Sequence, residues 1–232
     1  MTLQTIQSIE EEIVNCTRCP RLVNYCREVA QTKRRAYREE TYWGRPVPGW
    51  GDPKARLLMI GLAPAAHGGN RTGRVFTGDA SGDFLFRALH KAGFANQPTS
   101  QHRGDGLRLH DAYLTAVAHC APPENKPLPS EIDACRGHLV NELRLLTKVK
   151  AVLVFGKIAL DGFRAALRDA RGIDLPAAAL PFQHGAAYPI APALRLFISY
   201  HPSRQNTQTG RLTESMFDTV FKTIRTDLDR RR

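Results

Sequence analysis

The chain has 232 residues, 42% of them hydrophobic and 24% charged, with a formal net charge of +11. That balance indicates a soluble globular protein with a real core, and no apolar run approaches the roughly 18 residues of a membrane helix. The opening Met1-Thr-Leu-Gln-Thr-Ile6 lacks the basic start and apolar core of a secretory signal, so a cytoplasmic location and no membrane association are expected.

In chain order, the first 50 residues read as a helix carrying a C-x-x-C pair, Cys16 and Cys19, followed by a basic, aromatic segment from Lys33 to Trp50. Lys33-Arg-Arg-Ala-Tyr-Arg38 and Tyr42-Trp43 have the composition of a nucleic-acid backbone contact with stacking, and a solvated basic helix would look the same. Apolar runs at about 56–61, 113–118, 151–155 and 195–200 read as buried parallel strands. Helical patterns lie near 82–92, 130–147, 157–170 and 213–228, the last ending in Asp229-Arg-Arg-Arg232. Strand alternating with helix predicts an α/β sandwich around a mostly parallel sheet, as one domain over residues 1–232.

In such folds ligands bind beyond the carboxyl ends of the strands. The four predicted strands end in unusual residues. The first runs into a glycine-rich loop, Gly61 to Asp79; the second into His119-Cys-Ala-Pro-Pro-Glu-Asn125; the third into Phe155-Gly-Lys157; the fourth into Tyr200-His-Pro-Ser203. The loop carries neither the P-loop pattern nor the dinucleotide fingerprint. It reads either as a ligand cradle, in which glycine lets a ligand approach the backbone, or as a long turn whose Asp79 caps the next helix. Phe76 is a local core anchor or a stacking surface for a nucleobase, which contributes about 1–3 kcal/mol per base. His67 is a polar contact or simply solvated. His201, kept extended by the proline after it, is a donor at the strand edge or a buried core histidine. Ser203 lacks the G-x-S-x-G context of a hydrolase nucleophile. Lys157, at a helix start, suits a phosphate or faces solvent.

Five cysteines in a cytosolic chain argue against a disulfide framework. The C-x-x-C pair with the remote Cys120 and Cys135 suits a zinc site or a [4Fe–4S] cluster, while Cys26 reads as a buried, inert thiol. The basic excess, 33 Lys and Arg against 22 Asp and Glu, favours a polyanionic partner.

Taken together, Gly61-Leu-Ala-Pro-Ala65, Arg71-Thr-Gly-Arg74, Phe76-Thr-Gly-Asp79, Cys120-Ala-Pro-Pro-Glu-Asn-Lys126 and His201-Pro-Ser203 resemble the family 5 iron–sulfur uracil-DNA glycosylases. The resemblance runs from about residue 12 to 225. It implies a three-layer α/β/α sandwich with a central, mostly parallel four-stranded sheet, and a structural [4Fe–4S] cluster on Cys16, Cys19, Cys120 and Cys135. It implies a monomer that excises uracil and other deaminated bases from double-stranded DNA. Asp79, Asn125 and His201 are then catalytic. Gly61, Ala63, His67, Gly68 and Phe76 bind the base, while Arg71, Arg74, Lys157, Ser203, Arg204, Gln205 and Asn206 bind DNA. Many relatives place an acidic or amide side chain where this chain has Leu62, Ala63 and Ala65, and the sister iron–sulfur family carries an Asn near Ala116. Both departures imply a less discriminating base pocket. A non-catalytic iron–sulfur damage-sensing module and a nucleotide hydrolase are the competing functions.

Overall fold

The computed structural model describes residues 4–231. Met1 to Leu3 and Arg232, which fall within the expected single domain of residues 1–232, lie outside the described residues.

Four strands form the parallel centre of the sheet: β2 (Leu57–Gly61), β3 (Ala112–Ala116), β4 (Ala151–Phe155) and β6 (Leu194–Ser199). Nearly every residue in them is buried, as expected where helices cover both faces of a parallel sheet. Two antiparallel edge strands raise the count to six among the described residues: β1 (Trp50–Gly51) beside β3 and β5 (Ala187–Ala191) beside β6. The order is β1-β3-β2-β4-β6-β5. The four-stranded expectation therefore holds for the core of the sheet and misses its edges.

One face is packed by α4 (Ala80–Lys91) and α8 (Glu214–Asp229), whose Phe84, Phe86, Phe217 and Phe221 meet Phe155 and Phe197 of the sheet. The other is packed by α5 (Pro129–Leu145) and α6 (Lys157–Arg171), through Leu139, Leu143, Leu160 and Phe163. These are the three layers the sequence predicts. Chain leaving β2 goes to the first face and chain leaving β4 to the second, so the crevice opens between these neighbours.

The N-terminal segment is two helices, α1 (Ile6–Val14) and α2 (Pro20–Thr32), where the sequence suggested one. The C-x-x-C pair lies in the break between them, and Cys19 is the N-cap of α2, with Pro20 at its first position. Breaking the helix there frees both thiols from a helical face and turns them toward the exit of β3.

Candidate active site

The loop after β2 is zipped to the exit of β3 by Val117 N–H to Gly61 C=O, 3.0 Å, and Ala118 N–H to Leu62 C=O, 3.0 Å. It then makes one helical turn, α3 (Gly69–Thr72), ended by Gly73 in the left-handed conformation at φ 73°. It closes at Asp79, which is the N-cap of α4. Asp79 Oδ1 accepts from Ser81 N–H at 2.9 Å and Gly82 N–H at 3.0 Å. The capping expectation is met, and it leaves Oδ2 for other work. Oδ2 faces Gly68: a Cβ there would lie 2.0 Å from it, so only glycine fits against this carboxylate. Burial raises the Asp79 carboxyl above the ordinary carboxylate range, against the two backbone donors that lower it.

Phe76 sits at φ 52°, left-handed for a bulky side chain and the kind of strain that surrounding structure must hold. Gly82 makes room for it, since a Cβ there would lie 2.1 Å from the Phe76 carbonyl oxygen. Its ring, 9% exposed, meets Phe155 edge-on at 5.5 Å and stacks on His201 at 5.5 Å and 28°. At Gly61, a Cβ would lie 2.8 Å from the Phe76 ring. The ends of β2, β4 and β6 thus meet on one aromatic floor, with Ala116 of β3 in the same apolar cluster. Burial drops His201 to about 4, so its imidazole is neutral at pH 7. Asn206 Nδ2 donates to the His201 carbonyl at 2.8 Å and braces the strand end.

Three residues expected to contact DNA, Arg71, Arg74 and Asn206, have their side chains engaged within the protein. Arg71 and Arg74 are buried, at 7% and 5% exposure. Arg71 donates to the carbonyls of His67 and Gly78, both at 2.8 Å, pairs with Glu40, and lies 3.9 Å over the Tyr37 ring. Arg74 pairs with Asp105 at 2.7 Å, donates to Thr77 and Ser100, and covers the Trp50 ring at 4.7 Å. Both guanidinium groups are spent inside, tying the loop to the chain around it. Asn206 is likewise committed to the backbone. Exposed cations elsewhere include Arg34, Arg35 and Arg38 after α2, Lys157 at the start of α6 beside Asp161, and Arg204 in α7 (Arg204–Gln208), where Gln205 is also exposed and Ser203 is the N-cap.

Asn125 lies in a turn at φ 58°, exposed, in the segment that leaves β3. His67 is half-buried with Nδ1 3.1 Å from the Tyr42 hydroxyl, and Ala63 is half-buried in the first turn of the loop. An apolar cleft between α5 and α6, lined by Val117, Ile132, Leu139 and Ile158, contains none of these residues.

Cys16, Cys19, Cys120 and Cys135 line one cavity, with Arg18, Leu22, Val23, Pro46, His119, Ala134 and His138 as its other walls. His119 N–H points at Cys135 Sγ, 3.4 Å away. Burial pushes the Cys135 thiol up to about 12, and a hydrogen bond with Cys26 and burial raise that of Cys120. Four thiols gathered in one pocket need a compensating metal cation to be held as thiolates, so the donor set fits a metal centre, a zinc ion or an iron–sulfur cluster alike. Among the described residues no trio of His, Cys, Asp or Glu closes on a single metal ion. Cys26 is fully buried in the adjoining wall, as expected of a structural thiol.

The sequence model of the uracil DNA glycosylase superfamily matches residues 48–225, which contain the whole sheet and every strand-end residue above. The chain belongs to the uracil-DNA glycosylase superfamily. Within it, the chain is 52% identical over 211 residues to a type-5 uracil-DNA glycosylase of Thermus thermophilus, covering 91% of this chain and 93% of the relative. It is 45% identical over 215 residues to the type-5 uracil-DNA glycosylase of Pyrobaculum aerophilum, covering 93% and 90%. A type-4 uracil-DNA glycosylase of the same organism is 29% identical over 155 residues, covering 66% and 62%. Type-5 uracil-DNA glycosylases are thus similar to this chain along about nine-tenths of its length.

Proposed function

We propose that this chain is a monofunctional DNA glycosylase that hydrolyses the N-glycosidic bond of deoxyuridine, and of other deaminated nucleotides, in double-stranded DNA. The observation that carries the reading is that Phe76 links a half-buried carboxylate to a neutral imidazole: His201 stacks on its ring, and Asp79, three residues on, caps the helix start whose Gly82 packs on the Phe76 carbonyl. One transition state needs both, because it has a cationic sugar on one side of the breaking bond and an anionic base on the other.

The nucleotide flips out of the duplex, at a cost of a few kcal/mol that is lowest for a mispaired base. Its base lies against Phe76, and the backbone at Gly61, Ala63 and Gly68 comes close because no large side chain intervenes. As C1′–N1 breaks, the electron pair moves onto the base, and the neutral His201 N–H donates to O2 where the charge collects. Asp79 stabilises the positive sugar and takes a proton from the water whose oxygen bonds to C1′. Asn125 is the second polar group that holds that water. Leu62, Ala63 and Ala65 have no group to offer it, which leaves the work to Asp79. Lys157, Ser203, Arg204 and Gln205 contact the DNA; Arg71 and Arg74 act from within, by fixing the loop. The protein works as a monomer in the cytoplasm. Cys16, Cys19, Cys120 and Cys135 hold a [4Fe–4S] cluster that fastens the N-terminal helices to the exit of β3.

The test is incubation of the purified holoprotein with a duplex containing one uracil. Alkali-labile abasic sites are expected. Tight, salt-sensitive binding without base release would instead make it a damage-sensing module, and release from free deoxyuridine alone would make it a nucleotide hydrolase.

A further inference from the structure

Tyr42, in the segment after α2, is 7% exposed and reaches the glycine-rich loop. Its hydroxyl accepts from the backbone N–H of Arg34 at 3.3 Å and lies 3.1 Å from Nδ1 of His67. A backbone N–H can only donate, so every group is satisfied when the Tyr42 hydroxyl in turn donates to Nδ1. Nδ1 is then the bare nitrogen, and the ring proton sits on Nε2. The two rings meet edge to face, centroids 6.1 Å apart, which also fixes the plane of the imidazole. Burial, with the charges of Arg34 and Arg71, holds His67 below the usual imidazole value and so keeps it neutral.

This donor stands at the rim of the site. Arg71 grips the carbonyls of both His67 and Gly78, so residue 67 is pinned next to the residue before Asp79. The next residue, Gly68, is the one packed on the Asp79 carboxylate. His67 is half-buried, and its Nε2 has no hydrogen-bond partner among the described residues.

We propose that Tyr42 and His67 form a locked hydrogen-bond donor, with Tyr42 as positioning residue and His67 Nε2–H binding an acceptor oxygen of the flipped nucleotide. The oxygen is either the exocyclic carbonyl of the base or that of the neighbouring phosphate. The proposal rests on the glycosylase reading and adds a reason for its breadth. Deamination replaces an amino donor by a carbonyl acceptor, so a group that can only donate accepts uracil, hypoxanthine and xanthine alike and finds no partner on the amino groups of cytosine and adenine.

Two measurements test it on the full-length holoprotein. Long-range proton–nitrogen correlation spectra of the histidine rings report the tautomer: an unprotonated Nδ1 at His67 is expected, converting to a mixed tautomer in Tyr42→Phe. An Nδ1-protonated ring in the wild type would overturn the proposal. Single-turnover base release is then compared on duplexes containing uracil or pyrimidin-2-one, which lacks the 4-oxygen. His67→Ala should lose about tenfold and Tyr42→Phe about threefold, the scale of one neutral hydrogen bond. Loss confined to uracil identifies the 4-oxygen created by deamination, and equal loss on both identifies an oxygen the two substrates share, the 2-oxygen or the phosphate. Unchanged rates on both substrates in His67→Ala would refute the donor role. Absence of release by the wild type would refute the glycosylase function instead, while the tautomer spectra would still decide the lock.

Discussion

Asp79→Asn separates the two jobs that Asp79 performs. An asparagine keeps the oxygen that accepts from Ser81 and Gly82 at 2.9 and 3.0 Å, and Asn caps helices about as well as Asp. It loses the negative charge at the position now held by Oδ2, beside Gly68. Removing a preorganised charge and proton acceptor from a buried site costs about 10²- to 10⁴-fold in rate, or about 2.7–5.5 kcal/mol of transition-state stabilisation. Asp79→Ala loses the charge and the cap together. It should show the same loss of rate plus about 1 kcal/mol of stability, which is about 2–4 °C in Tm for a chain of this size. Single-turnover uracil release and thermal denaturation of the three proteins read both effects. If Asp79→Asn releases uracil at the wild-type rate, the carboxylate is only a cap and the catalytic assignment is wrong.

The neutral state of His201 predicts the pH profile: release should stay flat from about pH 6.5 to 8 and fall on the acid side, where His201, lowered to about 4, and Asp79, whose value burial raises, take up protons. A rate that declined about tenfold per unit above pH 6.5 would mean that an imidazolium is required. Arg74→Ala leaves Asp105 unpaired and nearly buried, and should cost about 3–5 kcal/mol in urea denaturation, whereas a cost under about 1 kcal/mol would contradict the internal role. Glu142 is fully buried, accepts from Thr115 at 2.8 Å, and has its carboxyl pushed up to about 8 by burial. Because the folded value is raised, its contribution to stability is full below the unfolded value of 4.5 and is lost as pH rises through about 8. Glu142→Gln should therefore raise Tm relative to wild type at pH 9 and not at pH 5; an equal change at both would refute the neutral carboxyl. Iron and acid-labile sulfide should be found in equal amounts, about four each per chain, and one zinc without sulfide would refute the cluster.

The central strands are legible because each is a short apolar run buried on both faces, as in Leu57–Gly61 and Ala151–Phe155, where the observed limits fall within a residue of those expected. The edge strands are not. Trp50–Gly51 is too short to show a period, and Ala187–Ala191 is largely exposed and contains Pro189, which suits only an edge. Asp79 was readable as a cap, and the structure shows the two bonds that make it one. The burial of Arg71 and Arg74, expected to bind DNA, was not legible, because a buried guanidinium leaves no periodic signal. Glu40 and Asp105, which neutralise them, stand 31 residues away in sequence. The break between α1 and α2 had a signal that went unused: Pro20 directly after Cys19 marks a helix start. Nothing in the sequence announces that His201 stacks on Phe76 or that Tyr42 reaches His67, since both contacts join segments brought together only by the fold.

The central claim is that this chain breaks an N-glycosidic bond in DNA. Its most direct test is mass-spectrometric detection of the free base after mixing the iron-loaded protein, in excess, with a duplex carrying a single uracil. One free uracil per duplex, with an abasic strand of the corresponding mass, is the predicted result. An intact duplex in the presence of protein carrying its full iron and sulfide would contradict it.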